Sequence, residues 1–236
     1  MRRLLIAVAA AASVLAAGAE PAAATNECRG LLVCVRVAGP WVVVPARRGS
    51  TRPRAQFQLS CPRGFVVAGT DAELTSRALD VSFGAKLGSP VGPGVTTGRS
   101  LLFSATYTGG GNAPTSFRPH LGCIPGSGGG GGPVPYSVAP TFPPGEPTTR
   151  RVRTFPLTSG GAIRVRQGCG RGEYFVSGWH AFGIYGSRPP SEELMRGVPS
   201  AQSVRGGRLT VVARVLPAVL GVRAVLQVGA VCGGGR

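Results

Sequence analysis

The side chains able to do chemistry in this chain are few: two histidines, nine carboxylates and six cysteines, set among 26 basic residues. His120 lies three residues before Cys123 on the outward parity of its segment, with no carboxylate or cysteine near it at metal-ligand spacing. It reads as a solvated sheet-face residue. His180 follows Trp179, and aligning Gly178 with Gly69 sets Trp179-His180-Ala181-Phe182 against Thr70-Asp71-Ala72-Glu73. The stretch reads as a diverged loop, the place where a repeated unit would specialise. Asp71, Trp179 and His180 are therefore candidate ligand contacts, and Asp71 with His180 is the candidate acid–base couple.

The carboxylates beyond residue 24 are Glu27, Asp71, Glu73, Asp80, Glu146, Glu173, Glu192 and Glu193. Glycoside hydrolysis needs two of them across a cleft, and their spacing nominates no pair. Asp71, Glu73 and Asp80 carry oxygens of the kind calcium takes, but salt bridges to the many arginines use the same groups. No Gly-x-Ser-x-Gly elbow, His-Glu-x-x-His zinc motif or Gly-Lys-Ser/Thr phosphate loop occurs. The residues thus nominate no catalytic set, no metal ligands and no cofactor. A non-enzymatic binding or structural protein is the expectation, and the alternative is a secreted hydrolase with a site near Asp71, Asp80 or His180.

The cysteines say more. Cys61-Pro62-Arg63-Gly64-Phe65-Val66-Val67-Ala68-Gly69 is echoed 108 residues on by Cys169-Gly170-Arg171-Gly172-Glu173-Tyr174-Phe175-Val176-Ser177-Gly178. Downstream, Gly98-Arg99 and Gly207-Arg208 each place an arginine 24 residues before a second cysteine, Cys123 or Cys232. The matched spacings pair Cys61 with Cys123 and Cys169 with Cys232, which leaves Cys28 with Cys34. Strand parity agrees, since Phe57, Leu59 and Cys61 share one face, as do Ile163, Val165 and Cys169 opposite Arg164 and Arg166. A redox Cys-x-x-Cys is excluded because neither Cys-x-Arg-Gly corner holds a second cysteine.

Those cysteines need elements to position them, and short alternating runs broken by Gly, Pro, Ser and Thr predict antiparallel strands. In the first half they fall at 41–46, 55–60, 65–69, 79–83, 101–108 and 117–122, and in the second at 154–157, 162–167, 174–177, 209–215 and 223–231. One or two helical turns are expected at 190–196. The fold class is all-β: two tandem antiparallel β-sandwich-like modules from an internal duplication, each with one core disulfide. The modules cover 25–125 and 150–236, joined by a Gly/Pro-rich linker over 126–149 that contains five consecutive glycines. Trp41 and Trp179 sit beside strand signals and read as core side chains or stacking platforms.

Residues 1–24 read as a secretory signal peptide: Met1-Arg2-Arg3, an apolar run from Leu4 to Gly18, and small residues at Ala22-Ala23-Ala24. The run is short for a membrane span, so no transmembrane segment is expected in the mature chain. The formal charge is +17, and loss of Arg2, Arg3 and Glu20 together leaves +16. Lys86 is the only lysine. Such a charge favours anionic partners, namely a cell-wall polymer, an acidic glycan or a membrane surface, with Arg150, Arg151 and Arg153 as candidate contacts. Nucleic acid fits less well, because aromatics are not clustered among the arginines.

The corner at 61–69, its echo at 169–178 and the closure Leu121-Gly122-Cys123-Ile124-Pro125 together resemble uncharacterised secreted β-rich proteins of high-GC actinobacteria with duplicated Cys-x-x-Gly modules. The resemblance implies export to the envelope or extracellular space. It implies no activity and no functional residues.

Overall fold

A computed structural model describes residues 25–46, 51–84, 90–92, 95–96, 98–126, 149–158 and 160–234. The expected signal peptide at 1–24 and linker residues 127–148 lie outside the described residues. The first half contributes β1 (Val35–Ala38), β2 (Trp41–Val44), β3 (Arg54–Ser60), β4 (Phe65–Leu74), β5 (Leu79–Gly84), β6 (Pro90–Gly92), β7 (Val95–Thr96), β8 (Ser100–Tyr107) and β9 (Thr115–Pro125). The second contributes β10 (Thr149–Pro156), β11 (Gly161–Gly168), β12 (Glu173–Ile184), the short helix α1 (Glu192–Arg196), β13 (Ser200–Arg205), β14 (Arg208–Val215) and β15 (Ala224–Gly234). The protein is all-β, built of curled antiparallel sheets. No helix among the described residues is long and apolar enough to cross a membrane.

One large sheet runs β4, β9, then β1 and β2 end to end along the same edge, then β12, β15 and β10. Two three-stranded sheets, β3-β8-β5 and β11-β14-β13, pack against it, and β6 pairs with β7. The packing follows strand parity. Val42 and Val44 enter one core with Phe57, Phe103, Phe117 and Leu121, while Val43 enters the other with Leu209, Val211, Leu226 and Val228. Because β2 is buried on both faces, its four residues read as a continuous apolar run, Trp-Val-Val-Val.

The two halves are not separate in space. Trp41 and Val42 of β2 pair with Ile184 and Gly183 of β12, so the large sheet crosses from one half to the other. Ala181 and Val225 complete the first core. Gln227, 3% exposed, accepts a hydrogen bond from Gln58 N–H (2.6 Å) and donates to Gln58 O (3.0 Å) and Thr154 Oγ1 (3.2 Å). A buried amide satisfied in this way ties β3 to β15.

The halves do repeat the same pairings. β9 lies between β4 and β1, and β15 lies between β12 and β10. Each long strand has one register break, between Val67 and Gly69 in β4 and between Phe175 and Ser177 in β12. In both corners the residue after the glycine donates back to the residue three before it: Phe65 N–H to Pro62 O and Glu173 N–H to Gly170 O, both 3.2 Å. With φ of +82° at Gly64 and +78° at Gly172, these are type II turns that require glycine at the third position.

The three disulfides are Cys28–Cys34, Cys61–Cys123 and Cys169–Cys232, as the spacing predicts, with Cα–Cα distances of 5.7, 5.8 and 5.6 Å. Three expectations are corrected. The stretches Thr70–Glu73 and Trp179–Phe182 are strand rather than loop, because β9 and β15 extend far enough to supply their ladder partners. β1, β6, β7 and β13 also form where no strand was expected. His120 is buried, 5% exposed, because residues 25–34 cover the outward face of β9.

Candidate functional site

Among the described residues, the outer face of the β11-β14-β13 sheet gathers a cluster of arginines. Alternation along β11 turns Val165 and Gln167 inward and Arg164 and Arg166 outward. On β14 it turns Leu209, Val211, Ala213 and Val215 into the core and Arg208, Val212 and Arg214 toward solvent. The ladder places Arg164 opposite Val212, Ala162 opposite Arg214, and Arg208 opposite Arg205 of β13. Five exposed arginines, Arg164, Arg166, Arg205, Arg208 and Arg214, therefore share one face. None of them pairs with a carboxylate among the described residues. Same-face residues recur about every 7 Å along a strand and about every 5 Å across strands. Guanidinium groups at that spacing match phosphate or carboxylate groups strung along a polymer, each able to take a bidentate pair of hydrogen bonds.

Arg150, Arg151 and Arg153 lie on β10, at the edge of the large sheet, and are divided among different tasks. Arg150 Nη1 donates to Gly84 O (2.9 Å), reaching across to the first half. Arg151 takes Glu173 in a two-point contact, Nε to Oε2 at 2.6 Å and Nη2 to Oε1 at 2.7 Å. That contact, the Gly170 N–H and the Thr149 hydroxyl together hold the Glu173 carboxyl down to about 2. Arg153 lies over the Phe155 ring, 5.0 Å from its centre.

Asp71 and Glu73 face His120 and Arg118 of β9 in register. Asp71 Oδ2 accepts the Asn26 N–H (2.7 Å), so this carboxylate anchors the N-terminal segment. His120 lies between two carboxylates, with Nε2 2.7 Å from Glu73 Oε1 and Nδ1 3.9 Å from Glu27 Oε1. Arg118 and Arg36 neutralise the same carboxylates at 3.8 and 3.6 Å. Gly69 and Gly122 let the Glu27 carbonyl press against the sheet where any side chain would collide. The cluster fastens residues 25–34 to the fold. Asp80 stands exposed on β5, opposite Thr106.

Three strand positions separate β4 from β12, about 14 Å at ordinary strand spacing, so Asp71 and His180 do not meet. Trp179 is 6% exposed and lies against Gly229. His180 instead reaches β13, with Nδ1 2.7 Å from Gln202 Oε1 and Nε2 2.8 Å from Ser200 Oγ. Burial lowers its pKa from the usual 6.5, and the Gln202 contact opposes that shift.

Among the described residues, Cys169, Glu173 and Cys232 are the group close enough to share an ion. Their sulfurs are joined in a disulfide and offer no thiolate. An open cleft of about 450 Å³, lined by Thr154, Leu157, Tyr185, Val222 and Arg223 among others, gathers no carboxylate or histidine. No family model, curated protein or solved structure matches the chain.

Reading along the sequence finds Arg164 and Arg166 as outward residues but not their partners. Arg205, Arg208 and Arg214 join them only through the ladder. The signal for it is Gly206-Gly207, a two-residue hairpin connection with φ of +54° and +66° that folds β13 back onto β14.

Proposed function

We propose that the protein is an exported binding or structural protein of the cell envelope or extracellular space, and that the arginine face of the β11-β14-β13 sheet holds an anionic polymer. The observation that carries this reading is five exposed arginines on one sheet face without a carboxylate partner among the described residues. Like charges placed side by side repel, and a sheet gains nothing from them without a counter-charge. A wall polymer, an acidic glycan or an anionic lipid surface supplies it. Three disulfides fit an oxidising compartment, and the leader-like residues 1–24 support export.

The repeated pairings, register breaks and type II turns support an origin by internal duplication. The arginine face is then a specialisation of the second half. Its counterpart, β3-β8-β5, carries Arg54, Gln56, Gln58 and Ser60 on β3 and Ser100, Leu102, Ser104 and Thr106 on β8 opposite its core-facing residues, and Arg54 donates to Ser104 Oγ (3.2 Å).

Purified wall polymer and anionic vesicles, titrated with the mature protein across a salt series, test the reading. Binding should be tight at low ionic strength and weaken steeply toward physiological salt, where charges beyond roughly 8 Å are screened. Absence of binding to every polyanion at low salt overturns it.

A further inference from the structure

We propose that Ser200, His180 and Gln202 form a nucleophilic site that cleaves small acyl esters, an activity separate from polymer binding on the arginine face. The three residues are brought together by tertiary structure, since His180 stands on β12 while Ser200 and Gln202 stand two apart on β13 and so share a face. The two ring nitrogens have one partner each. Gln202 Oε1, which can only accept, lies 2.7 Å from Nδ1 and so fixes the proton there. Nε2 is left with its lone pair, 2.8 Å from Ser200 Oγ, and accepts the hydroxyl proton. A serine, an adjacent base and a third group that orients the base make up an activated nucleophile. Burial of His180 favours the neutral ring, the form a general base needs at pH 7.

The backbone supplies a further element. Arg214 N–H donates to Pro199 O (3.0 Å), which makes Ser200 and Ala213 a pair that exchange no hydrogen bonds with each other. The Ser200 N–H therefore points to the unpaired edge of β13, on the side away from β14. It can donate to the oxygen that becomes negative when Oγ attacks a carbonyl. Val204, half exposed and next along the same face, offers apolar contact to a short acyl chain.

The chemistry balances without a further reactant. Oγ bonds to the ester carbonyl carbon as its proton passes to His180 Nε2. The carbon–alkoxide bond breaks as that proton moves to the departing alcohol. Water, deprotonated by the same nitrogen, then splits the acyl-serine into a carboxylic acid and free Ser200. The exposed edge strand leaves the approach to Ser200 open, and with Val204 as its apolar contact the acyl chain is short.

The test uses the full mature chain with its disulfides intact, treated with a fluorophosphonate, which transfers its phosphorus to an activated serine with loss of fluoride. Peptide mapping should place the label on Ser200, and His180→Ala should slow labelling roughly 100-fold. Gln202 acts through His180 as a positioning residue and is read by pH. In the wild type the labelling rate should be flat above pH 7 and fall in acid. Gln202→Glu should move that fall to higher pH, because a carboxylate at Nδ1 stabilises the protonated ring. Label absent from Ser200 in the wild type, or spread evenly over exposed serines, overturns the proposal without reliance on any variant. An unchanged pH profile in a folded Gln202→Glu protein overturns the positioning role.

Discussion

Glu173 shows how one side chain can make stability depend on acid. Its carboxyl is held at about 2 first by the Arg151 guanidinium and then by the Gly170 N–H, against 4.5 for an ordinary glutamate. The folded state thus binds fewer protons than the unfolded chain between those values. The stabilisation is present above about pH 4.5 and is lost as pH falls toward 2. Urea midpoints measured from pH 7 to pH 2 should drop through that window, and Glu173→Gln should lower the neutral-pH midpoint while flattening the drop. His180 acts on a different window, since a lowered folded pKa makes stability fall as pH drops below 6.5. At Gln227 the cost is one of unmet hydrogen bonds. Gln227→Leu strands the Gln58 N–H and C=O, and a loss of about 1–3 kcal/mol should appear in the same titration.

At the scale of elements, the corners of the two halves make a paired prediction. A Cβ added at Gly64 or Gly172 meets nothing within 4 Å, so the cost of substitution is backbone strain alone. Gly64→Ala and Gly172→Ala should each cost about 1–2 kcal/mol, and by similar amounts, because both glycines hold the same left-handed conformation. Most strands could be read from alternating apolar residues, and the cysteine pairing followed from parity and spacing. The misses have physical causes. β13 reads Ser-Ala-Gln-Ser-Val-Arg, and all six of its residues are exposed, so it carries no apolar alternation. It is held instead by β14 and by the Gly206-Gly207 turn. Parity placed His120 on the outward face correctly, but parity within a strand says nothing about what covers that face. The contact of His180 with Ser200 and Gln202 depends on how β12 and β13 pack, and no local signal announces it.

For the molecule as a whole, the two halves share a sheet and a core, and this sets how it behaves when cut. A protease site placed between residues 127 and 148 should give two fragments that co-elute in native buffer and separate only in denaturant, because β2 pairs with β12 and Ala181 and Val225 fill the first core. Fragments that part without denaturant would contradict the shared sheet. The proposed polymer binding also belongs to this scale, because the arginine face exists only once three strands assemble. The most direct measurement compares two variants on one purified anionic wall polymer at low salt: Arg164, Arg166, Arg208 and Arg214 all changed to Ser, and Arg150, Arg151 and Arg153 all changed to Ser. The first should lose at least about tenfold in affinity, near 1.4 kcal/mol, with a shallower salt dependence. The second should stay close to the wild type, because Arg150 and Arg151 are already engaged with Gly84 and Glu173. Equal affinity of the first variant and the wild type, with both folded, would contradict the account.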